Sequence, residues 1–358
     1  MNFSDRLIDI LNTGALAAAM SVGYRLGLFE AMDRLPDPAT PAEIAAEAGL
    51  DERYVREWLG AMTAGGIVLL ETGSGENRHL LPASHGDVLT RRAGPRNLGV
   101  YLQEIPLLTR TAMDRVEESF RTGEGVHWRR YREFHDFMAE LAEAKHRRTL
   151  VDEFLPSVDG GELVRRLEDG MRVLDLGCGA GTAALLMAQA FPRSRITGLD
   201  INEYAVDLAR TGAELLGLDN VRFVVADAAA VTPTSPLAGR FDYVTAFDAI
   251  HDQADPAAAL CGAKALLAPG GRFSMVDIKA GSRLADNLTH PMAPFLYTVS
   301  LLHCLPVGLM DGGAGLGMMW GRERAVTMLA EAGLAPVRVL EMHFDPFNVH
   351  YYYGGESC

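Results

Sequence analysis

The pattern of apolar and polar positions divides the chain into three stretches. Over residues 1–90 apolar residues recur at helical spacing. GYRLGLFEAMDRL reads as an amphipathic helix, and in DERYVREWLGAMTAGG the residues Tyr54, Val55, Trp58, Leu59 and Met62 are expected on one helical face. TPAEIAAEAGL opens with Thr40, Pro41 and Glu43, a capping box with proline at the first helical position. The run IVLLETGSGENRHLLP predicts two short strands around a Gly-rich turn, the wing of a winged helix-turn-helix. Residues 91–158 are mainly helical. Their stretch HWRRYREFHDFMAELAEAKHRR mixes basic residues with Glu133, Asp136, Glu140 and Glu143, as in a solvated helix joining two domains. A second domain is expected over residues 159–358.

Composition narrows the classes. A chain of 358 residues, 48% hydrophobic and 22% charged, suits about two domains with substantial cores. The net charge of −14 leaves no broad basic surface for phosphates. The would-be recognition helix sets Asp51, Glu52 and Glu57 against Arg53 and Arg56, so packing or dimerisation suits it better than reading DNA. Cys178, Cys261, Cys304 and Cys358 are scattered without a CxxC pair, which indicates neither a disulfide framework nor a metal site and fits a reducing cytoplasm. Asp5, Arg6 and Asp9 interrupt the apolar N-terminus, against a secretory signal. The stretch 287–310 carries no Lys, Arg, Asp or Glu and is long enough to span a bilayer. Pro291, Pro294, Pro306, Asn287, His290 and His303 break its continuity, and no membrane partner is expected.

The candidate chemistry begins at Met171. MRVLDLGCGAGTAALLMAQAF reads as a buried strand, a turn containing Asp175, Gly177, Cys178, Gly179 and Gly181, and a helix from about Thr182. Glycines let the backbone approach a ligand, and the helix start offers free N–H groups. RITGLDIN is a strand ending in Asp200, whose carboxylate suits the two hydroxyls of a ribose. Together these make a nucleoside-binding half of a doubly wound sheet. The glycine spacing is G-x-G-x-G, unlike the G-x-G-x-x-G of dinucleotide sites, and Asp175 would repel a diphosphate but attract an amino group.

This motif resembles that of the class I S-adenosylmethionine-dependent methyltransferases, and the resemblance continues in order through about the last 190 residues. VRFVVADA, FDYVTAFDAI, LLAPGGRFSMVDI and VRVLEMHFDPFNVHYYYG resemble the later strands. The resemblance implies an α/β, Rossmann-like seven-stranded sheet of order 3-2-1-4-5-7-6, with S-adenosylmethionine as cofactor. It also implies that Asp227 and Ala228 meet the adenine and that Ile201 and Phe247 complete the cofactor contacts. A winged-helix domain ahead of this fold resembles the arrangement of small-molecule O-methyltransferases, where it builds a homodimer. In those enzymes a His-Asp pair follows the fourth strand, and the histidine deprotonates the acceptor hydroxyl. His251-Asp252 matches the pair, with Gln253 where an aromatic residue is usual. His251 is thus the candidate base or, alternatively, part of the cofactor shelf, with His303, His290, Tyr297 and Asp277 as alternatives. A lid insertion is expected over 281–320, where Phe295, Tyr297, His303 and Trp320 would face a small apolar or aromatic acceptor. N- or C-methylation, or a cofactor-sensing winged-helix regulator, are the competing readings.

Overall fold

The computed structural model describes residues 2–73 and 75–354, so Cys358 lies outside the described residues. The chain divides into two compact units between Leu107 and Leu108. The helices expected to connect two domains therefore fall largely within the second unit.

In the first unit, α1 (Phe3–Arg25) is followed by α2 (Leu28–Arg34), α3 (Pro41–Ala48) and α4 (Glu52–Ala64). A two-stranded antiparallel wing, β1 (Leu69–Glu71) and β2 (Arg78–Leu80), precedes α5 (Ala83–Leu89). The capping box forms as the sequence predicts: Glu43 N–H donates to Thr40 Oγ1, and Thr40 N–H donates to the Glu43 carboxylate at 2.7 Å. On α4, Val55, Trp58, Leu59 and Met62 are buried, whereas Tyr54 is 82% exposed. The buried four follow i, i+3, i+4, i+7 spacing, and Tyr54 lies one position off that stripe. Trp58 Nε1 donates to the Ala19 carbonyl at 2.9 Å, and its ring occupies the space that a Cβ at Gly23 would need. Arg53 pairs with Glu57 and Arg56 with Glu52, which neutralises the basic groups of the would-be recognition helix.

The chain enters the second unit within α6 (Glu104–Thr122) and continues through α7 (Arg132–Thr149), the short α8 (Leu155–Ser157) and α9 (Glu162–Asp169). Strands and helices then alternate: β3 (Arg172–Leu176), α10 (Thr182–Ala190), β4 (Arg195–Asp200), α11 (Glu203–Leu215), β5 (Val221–Val225), β6 (Phe241–Phe247), α12 (Pro256–Leu266) and β7 (Leu267–Ile278). The segment expected to form a lid holds α13 (Ala293–Val299) and α14 (Leu305–Gly308), and α15 (Arg322–Glu331) precedes β8 (Val337–Glu341) and β9 (Asn348–Tyr353). The sheet order is β5-β4-β3-β6-β7-β9-β8, the expected 3-2-1-4-5-7-6, with β9 antiparallel to both neighbours. Strand side chains alternate between two cores: Val173 and Tyr243 join one, Leu174, Leu176, Val244 and Ala246 the other. A parallel sheet covered on both faces requires this near-continuous apolar patterning.

The uncharged stretch after β7 is not one long helix. Its longest apolar helical run, 293–308, is shorter than a membrane span and contains a wide turn at Ser300–Cys304. Among the described residues α1 is long and apolar enough to cross a membrane by length and composition, with 17% of its most apolar window buried.

One polar network ties the turn before α9 to the final strands. Arg272, 7% exposed, donates through Nε to Asp159 Oδ2 at 2.8 Å, Arg338 Nη2 donates to Asp159 Oδ1 at 2.6 Å, and the Tyr352 hydroxyl also donates to Asp159. Burial alone would raise the Asp159 carboxyl, but Tyr352 and the two arginines more than offset it and hold it below its ordinary value. A depressed carboxylate contributes stability above its unfolded pKa, and that contribution is lost as pH falls through the folded value. Asp159→Ala is expected to cost about 3 kcal/mol in urea unfolding at pH 7, the scale for orphaning a buried charge, and to flatten the acid limb of stability. A loss below about 0.5 kcal/mol, typical of surface pairs, would show that the network carries no load.

Candidate active site

Parallel strands bring their carboxyl ends to one edge, and the motif residues collect there. β3 ends beside Asp175, which is buried and accepts a hydrogen bond from Thr245 Oγ1 at 2.8 Å. Burial, partly relieved by Thr245 and reinforced by the Asp200 charge, pushes its carboxyl up to about 7. The following turn runs through left-handed backbone at Gly177 (φ 69°) and Gly179 (φ 52°). A Cβ at Gly177 would lie 2.5 Å from the Ala249 side chain, and one at Gly181 would meet Phe223 and Ala209, so packing accounts for both. At Gly179 a Cβ would meet nothing within 4 Å. Its bare face opens onto space that a ligand can use.

Asp200 at the end of β4 accepts from Gly179 N–H through Oδ2 and from Asn202 N–H through Oδ1, both at 2.8 Å. Burial raises its carboxyl, while the two backbone donors pull it back. Ile201 is 46% exposed beside it, and Cys178 is half-buried with its thiol raised by burial. After β5, exposed Asp227 caps a short turn by accepting from Ala229 N–H at 2.8 Å, while Ala228 packs into the core. Phe247 at the end of β6 stacks against His146 and Phe154, with ring centres 4.9 and 5.4 Å away. Burial drives the His146 imidazole down to about 3, so this wall is uncharged. The residues fit an adenosyl group carrying a cationic amino acid: an open glycine face, a carboxylate beside it, and a buried carboxyl held near its titration point for want of positive charge.

Beyond β6, Asp248 takes a left-handed backbone (φ 48°) and accepts from Lys145 Nζ at 2.9 Å. Lys145 lies on α7 and also reaches Asp345 at 3.6 Å. His135, on the same helix, lies 2.8 Å from Asn202 Nδ2. The sequence reading missed both contributions. They come from a helix whose charge pattern resembled a solvated connector, and only the fold shows which of its faces meets the strand ends.

His251 is 2% exposed and its Nδ1 lies 2.8 Å from Asp277 Oδ1, with Nε2 3.5 Å from Asp252 Oδ1. Burial opposes charge on the imidazole, but Asp277 and then Asp252 outweigh it and raise His251 well above its ordinary value. His303 is also buried, between the rings of Tyr131 and Phe134, and burial drives it down to about 4; the Asp252 charge opposes this, while the neighbouring His135 and His251 add to it. Of the other lid residues, Phe295 and Tyr297 pack with Ile278, Leu296 and Met319, and the Tyr297 hydroxyl accepts from Asn287 Nδ2 at 3.2 Å. His290 accepts from Met292 N–H through Nδ1. Trp320, 4% exposed, belongs to the core cluster on the sheet face and packs apart from Phe295 and Tyr297.

Residues 167–328 match the family described as a methyltransferase domain, and residues 14–91 match an Rv2258c-like winged HTH domain. The demethylmenaquinone methyltransferase of Thermus thermophilus is 34% identical over 146 residues, covering 40% of this chain and 61% of that protein. The ubiquinone biosynthesis O-methyltransferase of Vibrio parahaemolyticus is 27% identical over 187 residues, covering 52% and 72%. Human N-acetylserotonin methyltransferase, solved with S-adenosylmethionine, shares the fold across 100% of this chain and 99% of its own, with a TM-score of 0.71 and 18% identity. Residues 167–328 therefore carry a methyltransferase domain behind a winged-helix domain at 14–91, and the whole chain shares the fold of the solved methyltransferase.

The Asp175 environment yields a test of the cofactor assignment. A carboxyl raised from 3.8 to about 7 contributes stability below its unfolded pKa that is lost as pH rises through 7. Asp175→Asn keeps an acceptor for Thr245 and removes that penalty, so the ligand-free variant should melt higher than wild type at pH 8. The same variant should bind S-adenosylmethionine more weakly by about 1.5–3 kcal/mol, the range for a charged hydrogen bond. Wild-type affinity should strengthen from pH 6 to pH 8. Calorimetric affinity that is equal in both proteins and flat with pH would remove Asp175 from the cofactor site.

Proposed function

We propose that the enzyme transfers a methyl group from S-adenosylmethionine to a hydroxyl of a small apolar or aromatic acceptor, with His251 as general base. The bound cofactor supplies an electrophilic methyl group. Asp175, the 177–181 turn, Asp200, Ile201, Asp227, Ala228 and Phe247 hold and orient it, and Phe295, Tyr297 and His303 flank the acceptor. Trp320, expected in this wall, packs instead in the sheet-face core and is not assigned an acceptor contact.

The Asp277–His251 pair carries this reading. The carboxylates that raise the imidazole make it a stronger base, and its neutral, proton-accepting form grows as pH rises toward that raised value, so turnover should climb with pH. A phenol is a poor nucleophile near neutral pH until a base takes its proton. Asp277 accepts from His251 Nδ1–H, which fixes the ring, leaves Nε2 toward Asp252, and stabilises the charge that appears as Nε2 accepts a proton. His303 lacks such a carboxylate at hydrogen-bond distance, and its nearest contact to Asp252 is 3.7 Å. His251→Ala should lower turnover about 10²- to 10⁴-fold with little change in cofactor affinity, because a base acts only in the transition state. If His251 serves only as a shelf for the cofactor, affinity and activity should fall together. The relatives named for quinone biosynthesis make hydroxylated aromatic rings the first acceptors to assay.

The reading includes a cytoplasmic homodimer assembled through the N-terminal unit. Within residues 14–29, Ser21, Gly23, Tyr24, Leu28 and Phe29 are buried in their own unit while Val22 and Leu26 stay exposed. Further support comes from the start of α1, where Phe3, Leu7, Ile8 and Leu11 are exposed apolar residues. A contiguous apolar face of this kind favours a partner. Light scattering should give twice the chain mass, and Leu7→Asp with Leu11→Asp should give the single mass. A wild-type monomer at working concentration would refute the dimer.

A further inference from the structure

We propose that His251, Asp252 and Cys304 form a binding site for a soft divalent cation, with zinc the best match to their chemistry. Their candidate ligand atoms lie within 4.8 Å of one another. The linear sequence hides this grouping, since Cys304 arrives from the lid segment and pairs with no second cysteine at metal-binding spacing.

Three observations favour a cation here. Zinc takes nitrogen, sulfur and oxygen ligands at about 2.0–2.3 Å in a tetrahedron, which sets ligand atoms roughly 3.5 Å apart. His251 Nε2 and Asp252 Oδ1 already stand 3.5 Å apart, and small side-chain rotations would draw Cys304 Sγ inward. Next, the Asp277 bond to His251 Nδ1 is the carboxylate–histidine arrangement that orients metal-binding imidazoles and strengthens them as donors. Finally, Asp252 Oδ1 is shielded from solvent and has no hydrogen-bond partner among the described residues. His303 Nδ1, 3.7 Å from both Asp252 Oδ2 and Cys304 Sγ, is a fourth donor within reach.

Binding releases two protons to solvent, one from the Cys304 thiol and one from Nε2 of the protonated His251 ring, and leaves the Nε2 lone pair on the metal. If the proposed base is correct, metal binding and proton abstraction exclude each other, so zinc would inhibit methyl transfer reversibly. That consequence rests on the functional reading above, whereas the binding site itself does not.

Cobalt(II) titrated into the chelator-treated full chain gives a readout independent of activity, because a cobalt–thiolate bond produces charge-transfer absorption in the near ultraviolet. The expected result is saturation at one equivalent, displacement by zinc, and loss of the band in Cys304→Ala. Asp277→Asn, which retains every direct ligand, should weaken binding about 10- to 100-fold, the scale for removing a supporting carboxylate. Circular dichroism melts of both variants establish that they are folded. A missing band in the wild type, or one that persists in Cys304→Ala, would overturn the site. A band that forms normally in an enzyme whose His251→Ala variant keeps full turnover would uphold the site and refute the base.

Discussion

Every feature of the active edge follows from the parallel direction of β3, β4, β6 and β7. Parallel strands place all their carboxyl ends together, and here those ends carry Asp175, Asp200, Asp248 and Asp277. Four acids on one water-poor edge repel one another, and a burial penalty for each adds to that repulsion. The fold relieves the strain unevenly. Asp248 receives Lys145 from α7, Asp277 receives His251, and Asp200 receives two backbone N–H groups. Asp175 receives a hydroxyl. Asp175, with a single neutral donor, is the least compensated of the four and the one that a cationic ligand would relieve most.

The divergence of His251 and His303 is the same electrostatic argument on a smaller scale. Both rings are buried, so both carry a penalty for charge. A carboxylate at 2.8 Å holds His251, while the nearest to His303 is 3.7 Å away and the imidazoles of His135 and His251 press against a charge on it. Aromatic neighbours Tyr131 and Phe134 wrap His303 instead, and the Tyr131 hydroxyl fixes the lid backbone by donating to the Leu302 carbonyl at 2.8 Å.

Much of this was legible before any coordinates, because the relevant signals are local. The capping box at Thr40 and Glu43, the glycine turn after β3 and the alternation through the sheet depend on neighbours a few residues apart, and the fold reproduces them. What the sequence hid depends on tertiary approach. α7 looked solvated because its charged residues are numerous, yet Phe134, Phe137 and Leu141 bury one face and Lys145 reaches the strand ends. Asp277 was only one among several alternatives until β7 placed it beside His251. Trp320 resembled lid wall by its position after β7, but its ring fills the sheet-face core.

The position of β9 has a consequence for how the chain reaches this state. β9 lies between β7 and β8, although β8 is made before it. β8 and β9 are joined by the short connection 342–347 and pair antiparallel, so they can associate as a hairpin that adds to the β7 edge as one unit once β7 is in place. The Asp159 network reinforces that order, since its bonds to Arg272, Arg338 and Tyr352 join residues 113, 179 and 193 positions apart. Contacts of such long range are slow to form because the intervening loops must close before any bond compensates them. Closure of this outer edge is therefore expected among the slower steps of folding in this domain.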